Sequence, residues 1–154
     1  VLLATAGSAT VPLVRGLKKT LPGVLMAGVS ATLTSEGFRQ LGDAGGGLAV
    51  TMVMPDPNKG KTAVVRDYQA AMKARGQNDF NLGSLEGYVN MRVLAEGLER
   101  AGNDPTRAKL RSALAGIRNW DMGGFVVDYS GQTPYVGSRY IDLGVLGPAG
   151  RFLA

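Results

Sequence analysis

An alternation of short apolar runs with helical patterns constrains the fold of this chain more than any other feature of its sequence. The apolar runs cover 1–3, 24–27 and 47–54, and each has the length of a strand rather than of a helix. Between them, apolar side chains at helical spacing predict helices over 9–19 and 34–41. Strands of continuous apolar character that alternate with helices are typical of a parallel sheet with helices on both faces. The sequence therefore predicts an α/β fold of the doubly wound, parallel-sheet type.

Two prolines interrupt this alternation directly after the third apolar run. The segment Met54-Pro55-Asp56-Pro57 favours extended backbone and lacks two of the N–H groups that a sheet would use. One interpretation is a simple loop, and a more specific one is a crossover between two lobes. In either case the prolines divide the chain into two parts.

The second part of the chain is predicted to contain three helices and several strands. Ser84 is well placed as the N-cap of a long amphipathic helix that ends at Gly102, and Asp104-Pro105 is typical of the start of another helix. The expected elements around these two helices are a helix over 61–75, strands over 124–129 and 138–146, a turn over 147–150 and a terminal hairpin strand over 151–153.

The lack of cysteine and histidine excludes several classes of function. Zinc sites built from these residues, Ser-His-Asp and Cys-His nucleophiles and disulfides all need side chains that this chain does not have. The aspartates show no metal-loop spacing either. These absences exclude a hydrolase of the usual kind and leave a carboxylate or lysine mechanism open. Because no combination of residues in the chain matches such a site, we expect no catalytic residue, no metal and no cofactor.

The net charge of +5 and the isoelectric point of about 9.7 raise the question of nucleic-acid binding. The basic residues are dispersed, and several lie at predicted helix ends, where they complement the helix dipole. No basic run is interleaved with aromatic side chains, which make up only 6% of the chain. No apolar run approaches the roughly 20 residues of a membrane span. The sequence therefore predicts neither nucleic-acid binding nor a membrane-spanning segment.

Two turns of small residues follow the first two predicted strands. Thr5-Ala6-Gly7-Ser8 leads from the first strand into a helix, and Gly28-Val29-Ser30-Ala31 follows the second strand. Open α/β sheets bind ligands at the carboxyl ends of their strands, where backbone N–H groups at a helix start favour anionic groups. An ordinary capped turn explains either segment alone about as well. Two such turns at neighbouring strand ends predict one wall of a ligand cleft.

The glycine-rich segment Gly42–Gly47, GDAGGG, looks at first like a nucleotide-binding loop. A dinucleotide fingerprint has its glycines after a strand and at the start of a helix. Here the glycines follow a helix and precede a strand. We therefore expect a helix stop and a turn rather than a phosphate site.

Three motifs in the second part of the chain carry a resemblance to a known family. They are the helix SLEGYVNMRVLAEGLERAG from Ser84, the link AGNDPTR from Ala101, and the strand pair GGF and GSRY from Gly123 and Gly137. Together they resemble the C-terminal half of the Leu/Ile/Val-binding protein family, the type I periplasmic solute-binding proteins of ABC importers. The resemblance implies a type I periplasmic-binding-protein fold, with two doubly wound parallel-sheet lobes that this chain represents only in part.

In that family each lobe is assembled from discontinuous segments, and the chain crosses between the lobes three times. The resemblance implies that 1–53 is part of the C-terminal lobe, that 54–136 is part of the N-terminal lobe, and that 137–154 is a return segment to the C-terminal lobe. The expected hinge residues are Met54, Pro55 and Gly137.

The resemblance also implies a function. The protein is expected to bind a small organic ligand in a cleft between its lobes and to pass it to an ABC permease in the inner membrane, without catalysis. It is expected to be periplasmic, or lipid-anchored and extracytoplasmic, although no signal sequence is recognisable in these residues. The expected ligand-binding residues are Thr5, Ala6, Gly7, Ser30, Ala31, Leu82 and Gly83.

The residues at the two turns bear on which ligand is expected. In amino-acid-binding relatives a tyrosine in the first turn packs on the ligand, and a glutamate in the second turn pairs with its ammonium group. These places fall at about Thr5-Ala6 and Val29-Ser30, where neither residue type is present. We therefore expect an aromatic or aliphatic carboxylate without an α-amino group, followed closely by a branched-chain amino acid.

Two alternatives from other functional classes remain open at this point. One is a doubly wound enzyme domain that uses a nucleotide or phosphate ligand. The other is a ligand-sensing regulatory domain with the same lobes and no transporter. An upstream signal sequence would favour transport, and an upstream DNA-binding segment would favour regulation.

Overall fold

The contacts in a computed structural model, which describes residues 1–148 and 152–153, divide the chain into two compact units. Unit 1 consists of Val1–Val53 with Ile141–Ala154, and unit 2 consists of Met54–Tyr140. The first boundary falls at the proline-rich segment for which the sequence suggests a crossover.

The second boundary falls after Tyr140, later than the return that the sequence analysis places at 137. Contacts within unit 2 explain the difference. The N–H of Asp128 donates to the carbonyl of Gly137 at 2.8 Å, and the ring centroid of Tyr140 lies 5.7 Å from that of Phe125. Residues 137–140 therefore belong to unit 2.

Unit 1 is built on a four-stranded sheet of mixed direction. Its strands are β1 (Ala27–Val29), β2 (Ala49–Met52), β5 (Asp142–Leu146) and β6 (Phe152–Leu153), in the order β1-β2-β5-β6. β1 and β2 are parallel, whereas β5 is antiparallel to both β2 and β6. The parallel part agrees with the sequence pattern, and the antiparallel part arises because the tail of the chain returns to the sheet as a hairpin.

The strands of unit 1 are shorter than the apolar runs that predict them. The run 1–3 forms only a parallel bridge from Leu2 to Ala27. The second strand begins at Ala27 instead of Val24, because the N–H of Val24 donates to the carbonyl of Leu21 in a turn. β2 is likewise shortened by turns at its start.

Two helices cover one face of this sheet. They are α1 (Thr10–Thr20) and α2 (Ser35–Leu41), and Thr34 caps α2 by accepting a hydrogen bond from the N–H of Gly37 at 3.1 Å. α2 ends at Gly42, whose φ of 52° leads into a 3-10 turn over Gly42–Gly45, so the GDAGGG segment stops a helix. The core between helices and sheet contains Leu3, Val11, Val14, Met26, Leu33, Phe38, Leu41, Leu48, Val50 and Leu146.

Unit 2 contains three helices and a short antiparallel strand pair. These elements are α3 (Ala63–Ala74), α4 (Leu82–Ala101), α5 (Arg107–Ala115), β3 (Trp120–Asp121) and β4 (Val126–Val127). Its core contains Met54, Val64, Val65, Tyr68, Leu85, Val89, Val93, Ile117, Met122, Phe125 and Val127.

The starts of α4 and α5 are both displaced from their predicted positions. α4 begins at Leu82 with Asn81 as its N-cap, and Ser84 lies in the first turn, where its N–H donates to Asn81 Oδ1 at 2.9 Å. α5 begins at Arg107 and is capped by Thr106, whose hydroxyl accepts from the N–H of Lys109. Each of these helix starts has more than one suitable capping residue in the sequence. The N-cap is the residue whose side chain accepts a hydrogen bond from the first turn of the helix.

The strands predicted over 124–129 and 138–146 are also shorter than expected. β4 covers only Val126–Val127, because a turn at Asp121 occupies the preceding residues. β5 begins at Asp142, after the segment that remains in unit 2. Of the terminal turn and strand, residues 149–151 and 154 lie outside the described residues, and β6 covers Phe152–Leu153.

Candidate functional site

The two predicted ligand-binding turns of unit 1 lie at the same edge of its sheet. The strand-like segment 1–3 runs parallel to β1, since the N–H of Leu3 donates to the carbonyl of Ala27 at 2.7 Å and the N–H of Ala27 donates to the carbonyl of Val1 at 2.9 Å. The turns that follow these two segments therefore leave the sheet at neighbouring carboxyl ends. The five residues predicted in unit 1, which are Thr5, Ala6, Gly7, Ser30 and Ala31, lie on these two turns.

The first turn presents backbone rather than charged side chains. Thr5 is half-buried, and its hydroxyl lies 2.8 Å from that of Thr10, which is fully buried at the start of α1. Ala6 is extended and exposed, and Gly7 has a φ of 66° with open space where a Cβ would lie. Thr10 therefore anchors the turn, while Ala6 and Gly7 leave its backbone accessible.

The second turn is a 3-10 turn over Ser30–Thr32, which follows β1 directly. Ser30 is half-buried, Ala31 is exposed, and the buried side chain of Leu33 fixes the end of the turn. Neither turn contains an ionisable side chain. Their chemistry consists of hydroxyl groups and backbone amides, which suit a carboxylate or a neutral polar group.

The acidic residue that follows the second turn, Glu36, is engaged elsewhere. It lies exposed on α2 and pairs with Arg39, with 3.0 Å between Arg39 Nη2 and Glu36 Oε2. The hydrogen bond from Arg39, followed by that from Gln40, lowers the pKa of Glu36 below its ordinary value. Glu36 is therefore an ion-pair partner on the helix surface.

The other two predicted residues, Leu82 and Gly83, form the start of α4 in unit 2. Leu82 is half-buried and packs against the core of unit 2, whereas Gly83 is exposed. A Cβ built on Gly83 would meet only Asn81 Oδ1, at 3.6 Å. The helix start therefore carries free space beside exposed backbone.

Tyr68 of α3 holds this helix start in place. Its hydroxyl is hydrogen-bonded to Ser84 Oγ, and the N–H of Asn81 donates to the same hydroxyl at 3.3 Å. Because Ser84 Oγ donates its single proton to the carbonyl of Asn81 at 3.1 Å, Tyr68 is the donor to Ser84. The three residues form a closed cycle of hydrogen bonds, which we call the Tyr68 hydrogen-bond cycle.

Aromatic side chains lie next to the Tyr68 hydrogen-bond cycle. Tyr68 is fully buried, and Phe80 and Tyr88 each meet it edge-on with ring centroids 5.8 Å apart. In the sequence, Tyr68 fits the buried stripe of a helix, and nothing in that pattern indicates a hydroxyl aimed at residues 81–84. Only the pairing of α3 with the start of α4 reveals this role.

Unit 2 also contains a pocket that the sequence analysis does not predict. Residues of 119–140 line an open cavity of about 430 Å³, with Asn119, Asp128 and Arg139 among its polar groups. Hydrogen bonds from Ser130 lower the pKa of Asp128, so its carboxylate stays ionised to a lower pH than an ordinary aspartate. Apart from Val126 of β4, the lining residues lie outside helices and strands, so no periodic sequence pattern indicates the pocket.

The predicted hinge residues occupy different environments. Met54 and Pro55 are buried at the start of unit 2, directly at the first boundary. Gly137 lies before the second boundary, and a Cβ there would come within 2.8 Å of the ring of Tyr129. Whether backbone torsions change at these residues stays a prediction.

Within residues 1–148 and 152–153, no group of three or more acidic, cysteine or histidine residues is placed to hold a metal ion. In the same residues no helix has the length and apolar character to span a membrane.

A sequence model of the family described as "Periplasmic binding protein" matches residues 1–135. The chain belongs to the periplasmic binding protein family. Solved structures agree with this assignment. A substrate-binding periplasmic protein from Ralstonia solanacearum is 33% identical and superposes with a TM-score of 0.83 over 99% of this chain.

Two further solved structures show the same fold. An extracellular ligand-binding receptor from Verminephrobacter eiseniae is 28% identical, with a TM-score of 0.85 over 100% of this chain. A possible leucine/isoleucine/valine-binding protein from Rhodopirellula baltica is 23% identical, with a TM-score of 0.86 over 100%. The chain covers 44%, 44% and 42% of the lengths of these three proteins. A comparison with curated proteins gave no match.

These comparisons confirm the predicted type I periplasmic-binding-protein fold and the predicted family at the level of periplasmic binding proteins. The family is described as one of binding proteins, and this description lends no support to the alternative of a nucleotide-using enzyme domain.

Proposed function

We propose that this chain is part of an extracytoplasmic solute-binding protein of an ABC importer. In this proposal Val1–Val53 and the return segment, which by the unit boundary begins at Ile141, belong to the C-terminal lobe, and Met54–Tyr140 belongs to the N-terminal lobe. Membership of the periplasmic binding protein family supports it, as does the division into two units. The ligand binds between the lobes of the complete protein, which passes it to an ABC permease in the inner membrane.

The observation that carries the proposal is the pair of turns at one edge of the unit 1 sheet. Thr5–Gly7 and Ser30–Ala31 follow adjacent parallel strands, and ligands of open α/β sheets bind at this edge. The exposed start of α4 at Gly83 supplies a second set of backbone amides. We assign the ligand contacts of this chain to these three segments.

The chemistry of the turns favours a carboxylate ligand. Burying an ammonium group without an opposite charge costs several kcal/mol. Val29 and Ser30 supply no negative charge, and Glu36 is paired with Arg39. We therefore propose an aromatic or aliphatic carboxylate without an α-amino group, with branched-chain amino acids as the next candidate class.

A ligand panel on a two-lobed protein tests this proposal. We define the joined protein as this chain placed in the Ralstonia solanacearum relative in place of the segment that it matches. Thermal shifts are measured with benzoate, phenylacetate, 4-methyl-2-oxopentanoate, leucine, isoleucine and valine. A bound ligand at 100 times its Kd stabilises by about 2.7 kcal/mol, which is readily measured. Stabilisation by the three amino acids alone would refute the carboxylate preference, and no stabilisation by any compound would refute the assigned contacts.

Two glycine variants on α4 sharpen the test. Gly83→Leu fills the open space at the helix start, whereas Gly87→Leu adds the same side chain one turn later, where a Cβ also meets nothing within 4 Å. Overfilling a binding site by one side chain costs about 1–3 kcal/mol, or roughly tenfold or more in Kd. We expect this loss for Gly83→Leu and an unchanged Kd for Gly87→Leu. Equal effects would place the ligand away from Gly83.

A further inference from the structure

The segment 105–120, which contains α5, has an unbalanced charge. It holds four basic residues and no acidic residue, so its net charge is +4, whereas the whole chain carries +5. Basic residues are dispersed along the chain, but the acidic residues that accompany them elsewhere are missing from this segment. The excess positive charge of the chain is therefore concentrated around one helix.

The packing of α5 leaves this charge exposed. The helix packs on α4 through two leucines, since a Cβ at Gly97 would lie 2.5 Å from Leu114 Cδ2 and 3.1 Å from Leu110 Cδ1. The exposed residues on the rest of the first two turns form what we call the basic face. They are Arg107, Ala108, Lys109, Arg111 and Ser112.

Little in the described part of the chain neutralises the basic face. Arg107 and Arg111 form no ion pair with any of the described residues. Lys109 has an acidic neighbour in Asp104, with 3.8 Å between Lys109 Nζ and Asp104 Oδ2, but these side chains are 52% and 93% exposed. An exposed pair of this kind contributes little. The basic face therefore keeps a positive charge that faces solvent.

The positions of these basic residues work against the stability of α5. Arg107 and Lys109 lie in the first turn, at the positive end of the helix dipole, and that turn has no acidic residue. Arg107 and Arg111 are four residues apart, where like charges on a helix repel each other. By contrast, Arg118 follows the helix and donates from Nη1 to the carbonyl of Ala115 at 2.6 Å, where a cation is favourable. Residues that oppose local stability without a gain in packing are expected at functional sites.

We propose that the basic face binds the anionic phospholipid surface of a membrane. Protein interfaces are anchored by aromatic and apolar side chains and are poor in lysine, whereas the basic face has only Ala108 and Ser112 beside its charges. Basic residues near a membrane are attracted by the negative surface potential of anionic lipids, without any apolar anchor. The inference rests on the proposed function, because a component of an importer works beside the inner membrane. It adds a contact between unit 2 and lipid that is separate from the ligand.

Vesicle binding by the joined protein tests this proposal with two triple variants. The first, Arg107→Gln with Lys109→Gln and Arg111→Gln, neutralises the basic face. The control, Lys19→Gln with Lys61→Gln and Arg75→Gln, removes the same charge from exposed positions elsewhere. Cosedimentation without ligand measures binding to vesicles of phosphatidylcholine, with and without one-third phosphatidylglycerol, at about 0.05 M and about 0.5 M NaCl. Binding to beads coated with poly-L-glutamate is measured in parallel.

We expect the joined protein to bind the vesicles that contain phosphatidylglycerol at low salt, and to be released at high salt. Neutralising the basic face should weaken this binding by about tenfold or more, since each basic residue near an anionic surface contributes about fivefold. The control variant should lose no more than about fivefold.

Several results would overturn the proposal. Equal losses in the two triple variants would mean that only the net charge matters, and equal binding to pure phosphatidylcholine or binding that persists at high salt would exclude an electrostatic contact. Binding to poly-L-glutamate but not to anionic vesicles would assign the basic face to an acidic polypeptide. Because no ligand is present, a joined protein that responds to the ligand panel but binds no vesicles contradicts this inference alone. One that binds vesicles but none of the ligands contradicts only the proposed ligand contacts.

Discussion

Replacing Tyr68 by phenylalanine isolates the contribution of one hydroxyl to the start of α4. The substitution keeps the buried aromatic ring and its edge-on contacts with Phe80 and Tyr88, but it breaks the Tyr68 hydrogen-bond cycle. Two hydrogen bonds are lost, the one to Ser84 Oγ and the one from the N–H of Asn81. At about 0.5–1.5 kcal/mol each, their loss lowers the free energy of unfolding by about 1–3 kcal/mol.

The chain offers both a matched control and a convenient probe. Tyr88→Phe removes a hydroxyl that makes no hydrogen bond within the described part of the chain, from a ring in the same cluster. Trp120, the single tryptophan, packs against the core of unit 2 and reports on its unfolding by fluorescence. With a urea m-value of about 1–2 kcal/mol/M, Tyr68→Phe lowers the midpoint of unfolding by roughly 0.5–3 M.

The comparison of the two variants shows whether the Tyr68 hydroxyl stabilises the start of α4. We expect Tyr88→Phe to change the free energy of unfolding by no more than about 0.5 kcal/mol. If Tyr68→Phe is no more destabilising than Tyr88→Phe, the Tyr68 hydrogen-bond cycle contributes nothing to the free energy of unfolding. The start of α4 is then held by packing and by its N-cap alone.

Three further predictions concern local features of unit 2. Asn81→Ala removes the N-cap of α4 and should cost about 1 kcal/mol in urea unfolding, whereas the mid-helix Asn90→Ala should not destabilise. Gly123→Ala should destabilise by about 1–3 kcal/mol, because Gly123 has a φ of 95° and a Cβ there would lie 2.6 Å from Ala63 Cβ; Gly131→Ala, with open space, should be nearly neutral. The pKa of Asp128 is lowered in the folded chain, so its stabilising effect is present above the ordinary aspartate pKa and is lost as the pH falls through the folded value. An NMR titration of its carboxyl group should therefore give a midpoint below that of Asp128 in the urea-unfolded chain.

The sequence predicts the elements of this chain better than their ends. Gly42 and Gly102 stop α2 and α4 as expected, because glycine adopts the positive φ that these ends require. The N-cap of α4 is harder to predict, since Asn81 and Ser84 are both residue types that commonly cap helices. The choice between them depends on Tyr68, which is distant in sequence from both.

The same distinction applies to the sheet and to the candidate site. The turns at Thr5–Gly7 and Ser30–Ala31 were predictable, because each follows an apolar run directly and adjacent parallel strands bring them together. The antiparallel placement of β5 beside β2 was not, because strand alternation records which residues form a strand but not which strand they pair with. The pocket formed by 119–140 was missed for a related reason, since loop geometry leaves no periodic pattern.

The strand order of unit 1 has a consequence for the order in which the chain acquires its structure. β5 lies between β2 and β6 in the sheet, yet all of 54–140 separates it from β2 along the sequence. Pairing these two strands closes a long loop and is therefore slow compared with the local contacts of α3, α4 and α5. Unit 2 is one continuous segment and is able to fold before the tail arrives. A chain that stops short of Asp142 keeps every residue of unit 2, but β2 then pairs only with β1 and becomes an edge strand.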